Sequence, residues 1–403
     1  MFESIYIGLT GLSAFSRNLT VIGNNTSNMN SAGFKNTELS FSDLVYRNVF
    51  AGTNAGGQGG MTQFGSGVGI DSTRVLFTQG QLTQTGNPGD LAVQGNGFFI
   101  LRDGDRTFYT RDGEFEFNAD GFLVSRGSGM RVAGLAGGGL QDVSTTSLRA
   151  SPPHATGKVT LLDNLSTGDS TQDVSVTVFD AAGASHALTI TFNNNSATTP
   201  GSWLFDVKDT SGTLASGEVR FNGDGSPASG FNTFSFNLAP PGGVAPSQIT
   251  LDFGAAGGFS GVTNFSAGAD STLRLGSQDG FAAGQIVSTA FDPDGTVVVS
   301  YSNGQSARGQ KVALAFFQSP QELEQAGGAL FSNPNDVPVQ IGAAKSGVFG
   351  TLTGGSVVSA NIDLAQQFSE LFVTQRGYQA SSQVITTTND MIDQLFQATG
   401  GKR

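Results

Sequence analysis

Heptad spacing at both ends of the chain constrains the fold more than any other feature. Near the start, Ile5, Leu9, Leu12, Ser16 and Leu19 follow a 4-3-4-3 spacing, the seam of a helix packed on another helix. Near the end, Leu364, Phe368, Leu371, Gln375, Tyr378, Ser382, Ile385, Asn389, Ile392 and Phe396 keep the same alternation for more than four heptads. This pattern predicts a helix over 361–398, about 57 Å long at 1.5 Å per residue. Asn361 is placed as its N-cap and Asp363 as its first-turn acid. Both stretches lack a charged face: segment 1–35 carries only Glu3, Arg17 and Lys35. A lone surface helix has a solvated charged face, so these helices are expected to pair with each other or with further copies of the chain.

Between the ends the chain reads as strands, from about 75 to 358. Apolar alternation marks Val174–Val178, Leu188–Phe192 and Trp203–Val207, the period of a half-buried strand. One small motif recurs: Phe117-Asn118-Ala119-Asp120-Gly121, Phe179-Asp180-Ala181-Ala182-Gly183, Phe221-Asn222-Gly223-Asp224-Gly225 and Phe291-Asp292-Pro293-Asp294-Gly295. Each starts a turn with Asx and ends it with glycine where a positive φ is favoured, so each reads as a hairpin with Phe as the last strand anchor. A calcium loop at Asp292 is rejected, because its glycine is misplaced and Asn303 stands where a bidentate Glu is needed. Segment 51–69, with eight glycines in nineteen residues, is expected to be a flexible loop.

Length and composition narrow the function. At 403 residues the chain accommodates two to three domains. It has no cysteine and only His154 and His186, which removes disulfides, thiolate catalysis and Cys- or His-rich metal sites. A formal charge of −12 disfavours non-specific contact with nucleic acid or anionic membrane. No run is long and apolar enough for a transmembrane helix. The start has no basic n-region and no apolar h-region, so any export is expected to avoid a cleaved Sec peptide. Carboxylates do cluster at Asp103, Asp105, Asp112, Glu114 and Glu116. Arg102, Arg106 and Arg111 interleave with them, so solvated hairpin tips explain the cluster better than a glycosidase pair. No catalytic, cofactor or metal residue is assigned. Residues 146–284 carry eleven acids and five bases, net −6, which marks them as an exposed insertion between two similar strand-rich segments.

The terminal motifs carry a resemblance. Gly23-Asn24-Asn25-Thr26-Ser27-Asn28 followed by Gly33-Phe34-Lys35 resembles the N-terminal pattern of the bacterial flagellar rod and hook axial proteins. Ser359–Leu364 with Gln375-Arg376-Gly377-Tyr378-Gln379-Ala380 resembles the C-terminal pattern of that family. Asn96-Gly97-Phe98-Phe99, Phe108–Gly113 and Gly347–Gly350 are similar to its shared β-domain. The departures are Thr26-Ser27, where an apolar residue and Ala are usual, and a Gly400-Gly401-Lys402-Arg403 tail beyond the last seam residue. Asn24, Asn25, Asn28, Gly33, Phe34, Lys35, Gln375, Arg376 and Tyr378 are the residues that match.

The length and the insertion are closest to the hook branch of the family; the alternatives are a distal rod protein or a secreted β-rich adhesin or glycan-binding module. The resemblance implies a mainly β fold with terminal α-helices and two nested β-domains on a discontinuous chain. Segments 1–35 and 359–403 would form an inner coiled-coil domain. Segment 36–75 would be a flexible Gly-rich connector, 76–145 with 285–358 a middle β-domain, and 146–284 an outer one. It further implies a non-enzymatic subunit, without cofactor, of an extracellular curved tube that transmits motor torque as a universal joint. Its partners would be copies of itself, the distal rod protein, the hook cap protein, the hook–filament junction protein and the flagellar type III export apparatus, with no nucleic acid and no membrane.

Overall fold

The computed structural model describes residues 2–51, 60–240, 242–268, 270–398 and 400. It is mainly β, with one long helix at each end: α1 (Phe2–Ser27) and α2 (Leu364–Ala398). The chain divides into two compact units. The first comprises Met1–Thr146, Thr289–Val298 and Arg308–Arg403; the second comprises Ser147–Ser288 and Val299–Ala307.

In the first unit, four strands follow α1: β1 (Thr37–Asp43), β2 (Tyr46–Ala51), β3 (Gly60–Gly65) and β4 (Val68–Val75). β1 pairs antiparallel with β4 from Thr37↔Val75 to Asp43↔Val68, with a register shift at Ser40/Phe41. β2 pairs antiparallel with β3. This corrects the expectation of a loop over 51–69 within a flexible connector 36–75; residues 52–59 of that segment lie outside the described residues. Glycine serves close approach here. A Cβ on Gly67, whose φ is +110°, would lie 2.3 Å from Thr10 Oγ1 of α1. Phe15 of α1 meets Phe41 of β1 at 5.7 Å between ring centroids. The ribbon therefore lies against the helix, which a bulkier residue at Gly67 would prevent.

The body of the first unit is an antiparallel sheet around Phe98–Asp103. That strand pairs with Arg106–Thr110, Arg131–Ala136 and Ser306–Phe317. Two short pairs, Leu82–Gln84 with Ser356–Val358 and Leu91–Gln94 with Thr351–Gly354, bring both chain segments to the base of the helices. The core is aromatic: Tyr109 meets Phe317 edge-on at 4.8 Å, and Phe98 packs against Phe317 and Phe331. Edge-to-face geometry suits the ring quadrupoles.

The second unit contains a four-stranded antiparallel sheet, in order Thr171–Phe179, Ser185–Asn194, Ser202–Asp209 and Gly212–Arg220, and a five-stranded sheet around Lys158–Asn164. Strict alternation in Thr171–Phe179 buries Val174, Val176 and Val178 and exposes Thr171, Asp173, Ser175 and Thr177. Trp203, Phe205, Phe192 and Phe253 fill the core.

The four repeated motifs share one turn. In each, the Asx N–H donates to the carbonyl four residues on, and the glycine N–H donates back to the Asx carbonyl. Gly121, Gly183, Gly225 and Gly295 all have φ between +81° and +88°. Tyr301–Gln305 repeats the same pattern with Gly304.

Candidate assembly site

α1 and α2 form an antiparallel pair in constant register. A Cβ on Gly8 would lie 2.7 Å from Ile385, one on Gly11 2.6 Å from Ser381, and one on Gly377 2.5 Å from the Phe15 ring. Asn18 Nδ2 donates to Thr374 Oγ1 at 2.9 Å, and Asn25 Nδ2 to Gln367 Oε1 at 3.2 Å. The two residue numbers of every such pair total 392 or 393. On α1 the contact line is Gly8, Gly11, Phe15, Asn18, Ile22 and Asn25. On α2 it runs through Gln367, Leu371, Thr374, Tyr378, Ser381, Ile385, Thr388 and Ile392. Both keep heptad spacing, and apart from Ile22 the innermost residues are small or polar.

The heptad line read from sequence is thereby corrected in part. Leu371, Tyr378, Ile385 and Ile392 are half-buried, as are Ile5, Leu12 and Leu19. Leu9 is 51% exposed, and Leu364, Phe368 and Phe396 also face outward. The reason is steric. Where Gly8, Gly11 and Gly377 let the backbones close in, Gln367, Thr374, Ser381 and Thr388 join Leu371, Tyr378, Ile385 and Ile392 in the contact, and Leu364, Phe368 and Phe396 are left on the outer side. The apolar residues displaced from the seam, with Phe2, Tyr6, Phe372, Val373, Met391 and Leu395, are left exposed on the pair.

The N-terminal motif builds the joint between this pair and the β body. Asn25 clasps Thr37 from both sides: its Nδ2 donates to Thr37 O at 2.8 Å and its Oδ1 accepts from Thr37 N at 3.1 Å. Asn28 closes the end of α1, donating from Nδ2 to Asn24 O at 2.9 Å, while Ser31 Oγ donates to Asn28 Oδ1. Gly33 has φ +70°, and a Cβ on it would lie 2.3 Å from Asp112 N; its own N–H donates to Val358 O at 2.8 Å. Phe34 is half-buried. Lys35 is buried and donates from Nζ to Thr78 O at 2.9 Å. Burial, with the Arg111 charge adding to it, lowers the Lys35 ammonium to about 8.

Asn361 is not the N-cap of α2. Its Oδ1 accepts from Asn36 N at 2.7 Å, and its Nδ2 donates to Leu76 O and Thr78 Oγ1 at 2.7 Å each. Asp363 caps the helix instead, its Oδ1 accepting from Ala365 N at 2.9 Å and Gln366 N at 3.2 Å. Only the residue next to Leu364 reaches the free N–H groups of the first turn. Gln375 and Arg376 are exposed on α2. Asn18, Gln367, Thr374 and Asn361 were not found from sequence as interface residues. Their signal was the heptad spacing of Gly11, Asn18 and Asn25, with Gly8 three residues before, which an apolar template passes over.

The carboxylate cluster has structural roles. Asp103 pairs with Arg106 at 2.7 Å, and Arg126 donates to Asp90 at 2.6 Å. Asp112 is largely buried, its Oδ1 accepts from Glu114 N, and burial pushes it up to about 6. Arg111 lies over the Phe98 ring at 5.0 Å and donates to Gly95 O at 2.7 Å; burial lowers it to about 10. His186 sits 2.9 Å from Asp180, and His154 stacks on Phe281. Among the described residues, no three His, Asp or Glu converge as metal ligands, and no helix is long and apolar enough to cross a membrane.

Comparison with known proteins agrees with this arrangement. Family models described as "Flagella basal body rod protein" and "Flagellar basal body rod FlgEFG protein C-terminal" match residues 5–35 and 353–398. Those described as "Flagellar hook protein FlgE/F/G D1 domain" and "Flagellar basal body protein FlaE D2 domain" match 92–178 and 148–281. The flagellar hook protein FlgE of Treponema pallidum is 30% identical, covering 98% of this chain and 99% of its own. That of Escherichia coli is 30% identical over 96% and 98%. That of Borreliella burgdorferi is 29% identical over 98% and 99%. Two helices joined to a β body by the matched termini, an intervening second β unit, and relatives aligned along nearly their whole length place this chain in the bacterial flagellar hook protein family, as a structural subunit of the flagellar hook.

Proposed function

We propose that copies of this hook subunit pack through the outward apolar faces of α1 and α2, with 1–35 and 359–403 forming the inner layer of a curved, flexible tube. The single observation that carries this reading is the inverted polarity of the helix pair. The fully buried positions of its shared seam are Gly8, Gly11, Ala14, Asn18 and Asn25 of α1 and Gln367, Thr374 and Thr388 of α2, with Ile22 the one large apolar residue among them. Phe2, Phe372 and Val373 face away, at 85%, 65% and 70% exposure. A helix pair that buries amides and exposes phenylalanines gains little alone, and burying such faces contributes about 25 cal/mol per Å². Further copies supply the missing cover.

In this reading the sheet around Phe98–Asp103 is a middle layer and 146–284 an outer one, and the tube transmits torque from rod to filament as a universal joint. The family relationship supports the distal rod protein, hook cap protein and hook–filament junction protein as end partners. It also supports extracellular placement after delivery by the flagellar type III export apparatus. Negative-stain microscopy before and after salting-out tests the reading. Tubes are expected from the full chain and none from a chain lacking 1–35 and 359–403. Tubes from the truncated chain would refute it.

A further inference from the structure

The helix pair carries six charged residues among those described: Glu3 and Arg17 on α1, and Glu370, Arg376, Asp390 and Asp393 on α2. None of them makes an ion pair among the described residues. Arg376 reaches only Gln379 Oε1, at 3.5 Å. Their levels along the pair are fixed by the register. Because opposed residues total 392 or 393, Arg17 lies level with Arg376, and Glu3 lies level with Asp390. Asp393 is one turn further out. The pair therefore carries a basic band and an acidic band, and Glu370 stands alone beyond the basic band, level with Ile22.

The spacing of the bands is the same on both helices. Glu3 to Arg17 is fourteen residues, and so is Arg376 to Asp390. Fourteen residues are two heptads, so base and acid share a face of each helix, about 21 Å apart at 1.5 Å per residue. Two copies side by side without axial offset would oppose like charges at both levels. Displaced by two heptads, the basic band of one copy meets the acidic band of the next at both helices, and heptad ridges fall back into register with heptad grooves.

We infer that the surface carrying these bands docks a second copy of this chain, in parallel and staggered axially by two heptads, about 21 Å. The inference rests on the proposed packing of copies through their helices and adds the step between neighbours. The contact is heterologous, the basic band of one copy on the acidic band of another, which generates an open helical assembly rather than a closed dimer.

Charge swapping tests it. Reversing one band, by R17E/R376E or by E3K/D390K/D393K, is expected to raise the concentration of unpolymerised protein about tenfold at low ionic strength, the combined effect of several weak pairs. The difference shrinks at high ionic strength. Combining all five substitutions in one chain is expected to restore polymerisation. Fluorescence of Trp203, the single tryptophan, checks that each variant keeps its second unit folded.

The stagger has its own readout, because the chain has no cysteine. Ser4 is level with the acidic band and Ser16 with the basic one. Chains carrying S4C and chains carrying S16C are mixed, polymerised and treated with a bismaleimide. Mixed 4-to-16 dimers are expected to outnumber 4-to-4 and 16-to-16 dimers. Predominant like-to-like dimers would overturn the stagger, as would a five-site variant no better than either reversal, or reversals without effect in chains that polymerise. Wild-type chains that never form a pelletable polymer would overturn the packing reading itself.

Discussion

Phe15 occupies the space that a side chain at Gly377 would need: a Cβ there would meet three ring carbons at 2.5–2.8 Å. The two helices approach on a glycine, and the ring in turn meets Phe41 of the following ribbon. Helix pairing and ribbon packing are thus coupled through one phenylalanine. Replacing Gly377 by Ala raises helix propensity by about 1 kcal/mol but forces the ring out of place, at about 1–3 kcal/mol. G377A is therefore expected to lower the thermal midpoint of the helical circular-dichroism signal. Adding F15L, which vacates ring volume, is expected to recover part of the loss. A G377A chain more stable than wild type would mean that the helices do not close to this distance.

The amide clasp of Asn25 makes a sharper chemical prediction. Its side chain both donates to and accepts from Thr37, and also donates to Gln367. Removing it leaves buried backbone groups unpaired, at about 1–3 kcal/mol. Asp at this position keeps the acceptor but loses both donors and buries a charge. The expected stability order is Asn25 > N25A > N25D at neutral pH, read by denaturant unfolding. The Thr37 amide, whose acceptor only N25A removes, is expected to exchange faster with deuterium in N25A than in N25D.

Gly33 combines a left-handed φ of +70° with contact on the backbone of Asp112. Either condition disfavours a side chain, and backbone atoms cannot swing aside as a flexible side chain would. G33A is expected to cost about 3 kcal/mol and to expose the joint to proteolysis between 28 and 36. Wild-type protease resistance in G33A would show that the turn is not held against Asp112.

Asp112 sets an expectation for pH. Burial raises its folded pKa from 3.8 to about 6. Between these values the folded chain holds more protons than the unfolded chain, so this group's contribution to stability falls as pH rises from about 4 to 6. At about 1.4 kcal/mol per unit, the loss is of order 3 kcal/mol, complete above pH 6. D112N keeps the acceptor for Glu114 N–H without the charge. It is expected to flatten this part of the stability–pH curve and to stabilise the chain at neutral pH. An unchanged slope in D112N would place the carboxyl in water.

The elements legible in the sequence were those set by local chemistry. The four Asx–Gly turns are such a case: one positive-φ glycine and two local hydrogen bonds determine each of them, wherever it lies in the fold. Helices at both ends were legible too, because a heptad repeat is a property of one segment. Which heptad line makes the contact was not. Phe368 and Gln367 are adjacent on α2, and the choice between them depends on how close the partner helix comes, which Gly8, Gly11 and Gly377 decide jointly. The Gly-rich segment failed for a related reason. Gly67 and Gly69 permit close packing on Thr10 and Leu44, and composition alone cannot distinguish that use from freedom. At the joint, Asn25 and Lys35 were picked out only by resemblance. Their partners Thr37 and Thr78 contribute backbone carbonyls, which leave no trace in residue type.

The inverted polarity of the helix pair separates folding from assembly, and surface substitutions can exploit this. Phe372 and Val373 are mostly exposed, so replacing them with Asp removes little internal packing and buries no charge in the isolated chain. Exposed substitutions of this kind change stability by about 0.5 kcal/mol or less. If copies cover this face, the same carboxylate enters a desolvated apolar contact, where an unpaired charge is strongly unfavourable. F372D and V373D are therefore expected to match wild type in unfolding midpoint and Trp203 fluorescence yet yield no pelletable tubes. T374D serves as the contrasting control. Thr374 is buried in the shared seam against Asn18, so its replacement is expected to lower helix content in the monomer itself. Normal tubes from F372D would mean that this face of α2 stays solvated in the polymer, and would move the contact to Phe2, Tyr6 and Leu9 of α1.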